Sequence, residues 1–219
     1  MINPASINLA DFLANWYGSP DLPPDPLPAE YDWLPTPLKE WHRLSSQWDR
    51  PLARHNRMIP LERIKLVNRK AIFLEEESQE WRSAFDSENP DIVYEGEIGE
   101  EWKRSAETLS ETIKHHAVQE ITTTARFQQY CSELRIDRLT HVLAPLEQVG
   151  FGGWRWHDNP NCRIFMNETI VATIDPFENI RYPQFNKPGY ATARVASNDL
   201  RDLSYLDEIQ EIEWRKIQL

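Results

Sequence analysis

Cysteine is nearly absent: Cys131 and Cys162 are the only two in 219 residues. They stand far apart, outside any CxxC or Cys-His spacing, so neither a disulfide framework nor a zinc site is expected, and reduced thiols are the default. No run approaches about 18 consecutive apolar residues, and Met1-Ile2-Asn3-Pro4-Ala5-Ser6 has neither the basic start nor the apolar core of a leader. The expectation is a soluble, cytoplasmic chain. Basic residues are also in deficit, 24 Lys and Arg against 35 Asp and Glu, for a net charge of −11. That balance argues against nucleic acid and anionic membrane as partners. Catalytic signatures are missing too. There is no HExxH and no GxSxG, and Gly150-Phe151-Gly152-Gly153 lacks the Lys-Ser/Thr ending of a phosphate loop. No cofactor, metal or catalytic residue is assigned, and the chain is read as a non-enzyme.

What the chain does have is an acidic run. Residues 75–101 hold eleven Asp and Glu against one base, Arg82, a local charge of −10. A disordered acidic tail would be poor in apolar residues. This run contains Trp81, Phe85, Ile92, Val93, Tyr94 and Ile98 and follows Ala71-Ile72-Phe73-Leu74, so its acids are expected on folded strands. Such a face suits a basic partner, because a field of one sign speeds encounter with its opposite; it also suits simple solubility. Just ahead lies a basic run, Arg50, Arg54, Arg57, Arg63, Lys65, Arg69 and Lys70. It either pairs with the acids across a sheet or forms an anion-binding patch.

The pattern predicts an α+β fold, an antiparallel sheet meander flanked by helices and followed by a smaller α+β C-terminal unit. A helix over residues 6–17 is expected, with Ser6 as cap, Ile7, Ala10, Leu13, Ala14 and Tyr17 as its stripe and Gly18 as its stop. Pro20, Pro23, Pro24, Pro26 and Pro28 then exclude regular helix. A second helix starts with Thr36 as cap and Pro37 at its first position, and directs Leu38, Trp41, Leu44 and Trp48 to the core. Strands are expected at 61–67, 70–75, 81–85 and 92–95, the first pair turning at Asn68-Arg69. A helix over 106–122 follows, capped by Ser105. Residues 127–150 read as mostly helical, and 154–157, 162–167, 169–174 and 190–196 as strands. A short helix at 200–209, capped by Asn198 or Asp199, and a terminal strand at 211–217 complete the chain. The domain reading is residues 1–26 as an N-terminal helix and Pro-rich linker, 27–130 as the main α+β domain, and 131–219 as the C-terminal unit. Nine tryptophans supply large buried area and, at a surface, anchors for a partner.

Two other constellations carry chemistry on paper. Glu111, His115, His116 and Glu120 offer two i,i+4 acid-histidine pairs, but adjacent histidines point about 100° apart on a helix, so the four cannot converge on one ion. Trp154-Arg155-Trp156-His157-Asp158 sets a histidine beside an acid without a nucleophile at any telling spacing.

Several strings resemble the SUKH superfamily, which includes bacterial toxin-immunity proteins and domains of fungal cell-wall regulators. They are Leu34-Pro35-Thr36-Pro37-Leu38-Lys39-Glu40-Trp41, Ala71-Ile72-Phe73-Leu74-Glu75-Glu76-Glu77 followed by Trp81, Val93-Tyr94-Glu95, Trp102, and Ser105-Ala106-Glu107-Thr108-Leu109-Ser110-Glu111-Thr112-Ile113. The resemblance covers residues 27–124. It departs where a glycine-rich turn often follows the first helix and Ser45-Ser46-Gln47-Trp48 stands instead. It implies a non-catalytic scaffold whose variable surface captures a protein partner such as a basic toxin, frequently a nuclease. Charge complementarity would then assign partner binding to Glu75, Glu76, Glu77, Glu80 and Asp86, with Trp81 as an anchor. The alternative is an intracellular regulatory or scaffold module that binds another cellular protein. An enzyme with an unrecognised site is a third reading, which a deep pocket with converging polar groups would favour.

Overall fold

Asn8, not Ser6, starts the first helix in the computed structural model, which describes residues 1–78, 80–152, 161–176, 184 and 186–219. The Asn8 side-chain oxygen accepts hydrogen bonds from the backbone N–H groups of Ala10 (3.0 Å) and Asp11 (3.3 Å). These are two of the donors a helix leaves unsatisfied at its start. Helix α1, Leu9–Tyr17, buries Phe12, Leu13 and Trp16. Its inward face thus turns from the Ala10 and Ala14 stripe toward the two aromatics, whose burial removes far more apolar surface from water. Helix α2 spans Thr36–Ser45, with Pro35 in the cap position and Pro37 in the first turn. Leu38, Trp41 and Trp48 are buried, and Leu44 is half-buried.

The fold is α+β, with two antiparallel sheets. Residues 5–120 form one compact unit, and residues 1–4 with 121–219 form another. In the first unit, β1 (Asn56–Met58), β2 (Leu66–Val67), β3 (Lys70–Glu76), β4 (Trp81–Asp86), β5 (Val93–Glu97) and β6 (Lys103–Arg104) build a sheet ordered β1-β3-β4-β5-β6, with β2 also on β3. The expected meander is present, although its first strand is reduced to Leu66–Val67. Pro60 opens a 3-10 turn at Leu61–Arg63, and a residue without a backbone donor interrupts a ladder. The β2–β3 turn holds Asn68 at φ 50° and Arg69 at φ 65°, the two left-handed residues of a tight hairpin. A register shift between Ile72 and Leu74 on β3 buries both Phe73 and Leu74. Beside the sheet in sequence, helix α3, Leu109–Thr124, contributes fully buried Leu109 and Ile113. Its cap is Thr108 rather than Ser105. Thr108 Oγ1 accepts from the Glu111 N–H (3.3 Å) while the Glu111 carboxylate accepts from the Thr108 N–H (2.9 Å), a reciprocal capping box.

In the second unit, β7 (Phe127–Arg135), β8 (Glu147–Gln148), β9 (Arg163–Met166), β10 (Ile170–Pro176), β11 (Tyr190–Ser197) and β12 (Arg215–Gln218) form a sheet in the order β12-β7-β11-β10-β9-β8. The helical reading of 127–150 is corrected by β7. Sandwiched between β11 and β12, the segment satisfies its backbone on both sides, and that pairing outweighs a weak local helical pattern. Only α4, Leu139–Val142, is α-helical there. Asp199 caps a 3-10 helix, Leu200–Glu208, by accepting from the Arg201 N–H (2.9 Å). Its Leu203 and Leu206 join Leu134, Val142, Ile174 and Val195 in the core, each such burial contributing roughly 1.5–3 kcal/mol. The strand expected at 154–157 and the Trp154–Asp158 string lie outside the described residues.

Candidate functional site

Antiparallel pairing folds the acidic run back on itself. Trp81 pairs with Glu97 at the start of β4, and the Ile98 N–H donates to the Glu80 carbonyl (2.9 Å). The turn after β3 and the turn after β5 therefore lie side by side at one end of the first sheet. Exposed Glu77, Glu80, Glu100 and Glu101 gather there around Ile98, which is 56% exposed. Gly99 in the second turn has φ 92°, a backbone conformation that other residues adopt only with strain. Half-buried Trp81 and Trp102 flank this end.

The six residues singled out from the sequence separate. Glu77 and Glu80 belong to the exposed end; the Glu77 carboxylate lies 4.0 Å from His55 Nδ1. Glu76, the last residue of β3, accepts from Ser78 Oγ at 2.7 Å. Because β3 ends there, strand alternation no longer sets the direction of Glu77. Glu75 sits opposite Arg57 on β1 and Arg82 on β4. Trp81 is half-buried at the margin of the acidic end.

Asp86 is at the other end of the sheet and only 5% exposed. Its carboxylate accepts from the N–H groups of Glu88 (2.9 Å) and Asn89 (3.3 Å) and from Arg69 (3.3 Å). Those amides, with Arg69, hold its pKa below the usual carboxylate value. Asp86 is thus withdrawn from the exposed acids, and the sequence could not show this because strand reversal separates residues 86–91 from 77–80.

Arg82, the one base in the run, does not neutralise it. Its guanidinium stacks 4.8 Å from the Trp102 ring centre, and among the described residues it has no carboxylate within salt-bridge distance. Of the basic run, among the described residues, Arg69 alone pairs with the acids across the hairpin, reaching Asp86 and Glu88 (2.9 Å). Lys70 instead lies over the Tyr94 ring at 4.4 Å.

Behind the acidic end, Glu120 of α3 organises the chain entering β1. Its carboxylate, 2% exposed, accepts from the N–H groups of Arg54 (2.7 Å), His55 (3.2 Å) and Asn56 (3.0 Å) and from Asn56 Nδ2 (3.1 Å). The His55 carbonyl then accepts from the Glu77 N–H at 2.8 Å, so this clasp leads directly to an exposed acid. The other α3 candidates have separate roles. Glu111 caps the helix, and His115 Nδ1 lies 2.8 Å from Glu107 Oε1 in a buried pair. His116 is fully buried, edge-on to Trp41 with ring centres 5.5 Å apart, and neither ring nitrogen has a hydrogen-bond partner among the described residues. Burial lowers its pKa to about 4. Among the described residues no group of three or more His, Cys, Asp or Glu could hold a metal ion.

The arrangement is suited to long-range attraction of a cationic surface followed by contact with Ile98 and the tryptophan margin. Glu97, Glu100, Glu101 and Ile98 were absent from the residues chosen from sequence, although their acid density signalled them; what was missing was the register bringing 97–101 beside 77–80. Among the described residues, no helix is long and apolar enough to cross a membrane. Compared with protein-family models, curated proteins and solved structures, the chain matches none.

Proposed function

We propose that this protein is a non-catalytic binding module of SUKH type, an immunity protein that neutralises a basic toxin by covering its cationic surface with the acidic end of the first sheet. The supporting observation is the convergence of two turns that gather Glu77, Glu80, Glu100 and Glu101 around exposed Ile98, with the sole base of the run stacked on Trp102. A nuclease fits as the toxin, since holding phosphate requires the basic surface that such an inhibitor would complement. Cytoplasmic action accompanies this reading.

The test is co-expression with the product of the neighbouring gene, scored by growth, together with binding kinetics at low and high salt. Protection is expected. Glu77→Lys/Glu80→Lys should slow association about tenfold at low salt, with less effect at high salt, because steering between exposed charges is screened. Protection with unchanged association in the variant would reject this surface. No protection, with capture only of regulatory proteins, would replace the immunity reading with the scaffold one.

A further inference from the structure

A cleft of about 320 Å³ beside β1 is bordered by Arg50, Arg57, Arg63 and Glu75, with Leu52 and Ile59 among its apolar lining. We infer that it binds a small phosphomonoester carrying an apolar or aromatic body, a ligand unrelated to the acidic end. In a chain with more acids than bases, arginines ordinarily find carboxylates nearby. Arg57 and Arg63 are both exposed, yet neither has a carboxylate within salt-bridge distance among the described residues. Glu75 faces Arg57 in the strand register and is, among the described residues, the only acid bordering the cleft.

Arg50 is already oriented. Its guanidinium lies 5.5 Å from the Tyr17 ring centre and donates to the Tyr17 carbonyl. Arg57 and Arg63 border the same cleft as Arg50, and a guanidinium is a planar, multidentate donor suited to phosphate oxygens. Three arginines and one glutamate give the rim a formal charge of +2, which matches the roughly −1.5 to −2 of a phosphomonoester at pH 7. Leu52 and Ile59 are buried core residues, 6% exposed each, and provide an apolar wall for the ester's organic part. The volume falls within the lower range of small-molecule sites, roughly 300–1,000 Å³.

The test is calorimetric titration of the full chain at pH 7 and low salt with phenyl phosphate, inorganic phosphate and benzyl alcohol. Phenyl phosphate should bind with a Kd of about 0.1–1 mM, inorganic phosphate roughly fivefold more weakly, and benzyl alcohol without measurable heat. Arg57→Gln/Arg63→Gln should raise the phenyl phosphate Kd at least about tenfold, on the scale of losing charge-assisted hydrogen bonds. Both positions are exposed, and an unchanged urea midpoint would verify the variant's fold. Glu75→Gln should tighten binding about threefold by removing the one repulsive charge. No phenyl phosphate binding up to about 10 mM, well above the expected Kd range, would overturn the inference. So would equal binding by wild type and the double arginine variant. Phenyl phosphate binding and association with a basic partner are separate readouts, and Arg57→Gln/Arg63→Gln is read by the first, so failure here and failure of the acidic-end reading are distinguishable.

Discussion

The two ends of the first sheet each contain one buried carboxylate that holds a loop by its backbone amides, but they differ in what surrounds it. At the end with the β2–β3 turn, Asp86 fixes residues 88–89, and Arg69 bridges Asp86 and Glu88. The acidity there is largely consumed in structure. At the opposite end, Glu120 fixes residues 54–56 through amides, and Glu80, Glu100 and Glu101 remain as surplus exposed acids. A run with nearly the whole chain's net charge is therefore two different things in space, a neutralised clamp and a charged surface. Variants at the two ends can test that division.

The largest effect is expected at Glu120. Glu120→Ala removes the acceptor of four N–H donors and should cost roughly 3 kcal/mol, because buried donors left unmade carry their desolvation penalty. Glu120→Gln, which keeps one acceptor oxygen but turns an amide group toward donors, should fall between it and wild type. Urea unfolding followed by tryptophan fluorescence measures both. A loss below about 1 kcal/mol for Glu120→Ala would mean that the amides find water instead and that the clasp is incidental.

Acid should act on the same unit through His116. Its folded pKa, about 4, lies below the unfolded value of 6.5 because burial disfavours the imidazolium, with His115 adding and Glu120 opposing. The unfolded state thus binds more protons between those values. Stability present above pH 6.5 is lost as pH falls toward 4, on the order of 3 kcal/mol for the full shift. His42, lowered to about 4 by burial, adds to the same window. His116→Leu removes two buried nitrogens that have no hydrogen-bond partner among the described residues and should raise stability at pH 7 by about 1 kcal/mol while flattening the pH 6.5–4 limb. A limb as steep as wild type's would assign the acid sensitivity to other groups. Below that window the Asp86 end should weaken in turn, since its depressed pKa keeps a contribution that disappears only as pH falls through the folded value. Asp86→Asn should remove this late acid step and cost less than Glu120→Ala, because Arg69 is exposed and the Asx turn retains one acceptor oxygen.

Local chemistry made much of this readable. The Asn68-Arg69 hairpin, the apolar strands beside the acids, Trp41 and Trp48 in the core and the Asp199 cap all depend on neighbours within a few residues. The errors share another cause. Ser6 and Ser105 were plausible caps, but Asn8 and Thr108 stood closer to the apolar stripe, and Thr108 had Glu111 as its reciprocal partner. Residues 127–135 become a strand only because β11 and β12, far along the chain, supply both edges. Glu120 paired with His116 in the helical pattern, while its actual partners are amides some 65 residues earlier. Asp86 counted among the acids of the run until strand reversal carried it to the clamp. Spacing thus revealed the elements and the charge, whereas long-range register decided which acids are surface.

The smallest stability effect should come from the exposed end itself. Glu77 and Glu80 are exposed, and the only salt bridge among the described residues that either makes is the 4.0 Å contact of Glu77 with His55. Reversing both to Lys should change unfolding free energy by no more than about 0.5 kcal/mol, the usual range for surface positions. A slight gain is the expected direction, because the substitutions relieve repulsion among neighbouring acids. If stability instead fell by as much as in Glu120→Ala, these acids would be part of the clamp and the contrast between the two ends would fail. If stability is held while association with a cationic partner slows, folding cannot account for the charge at this end, and selection for binding can.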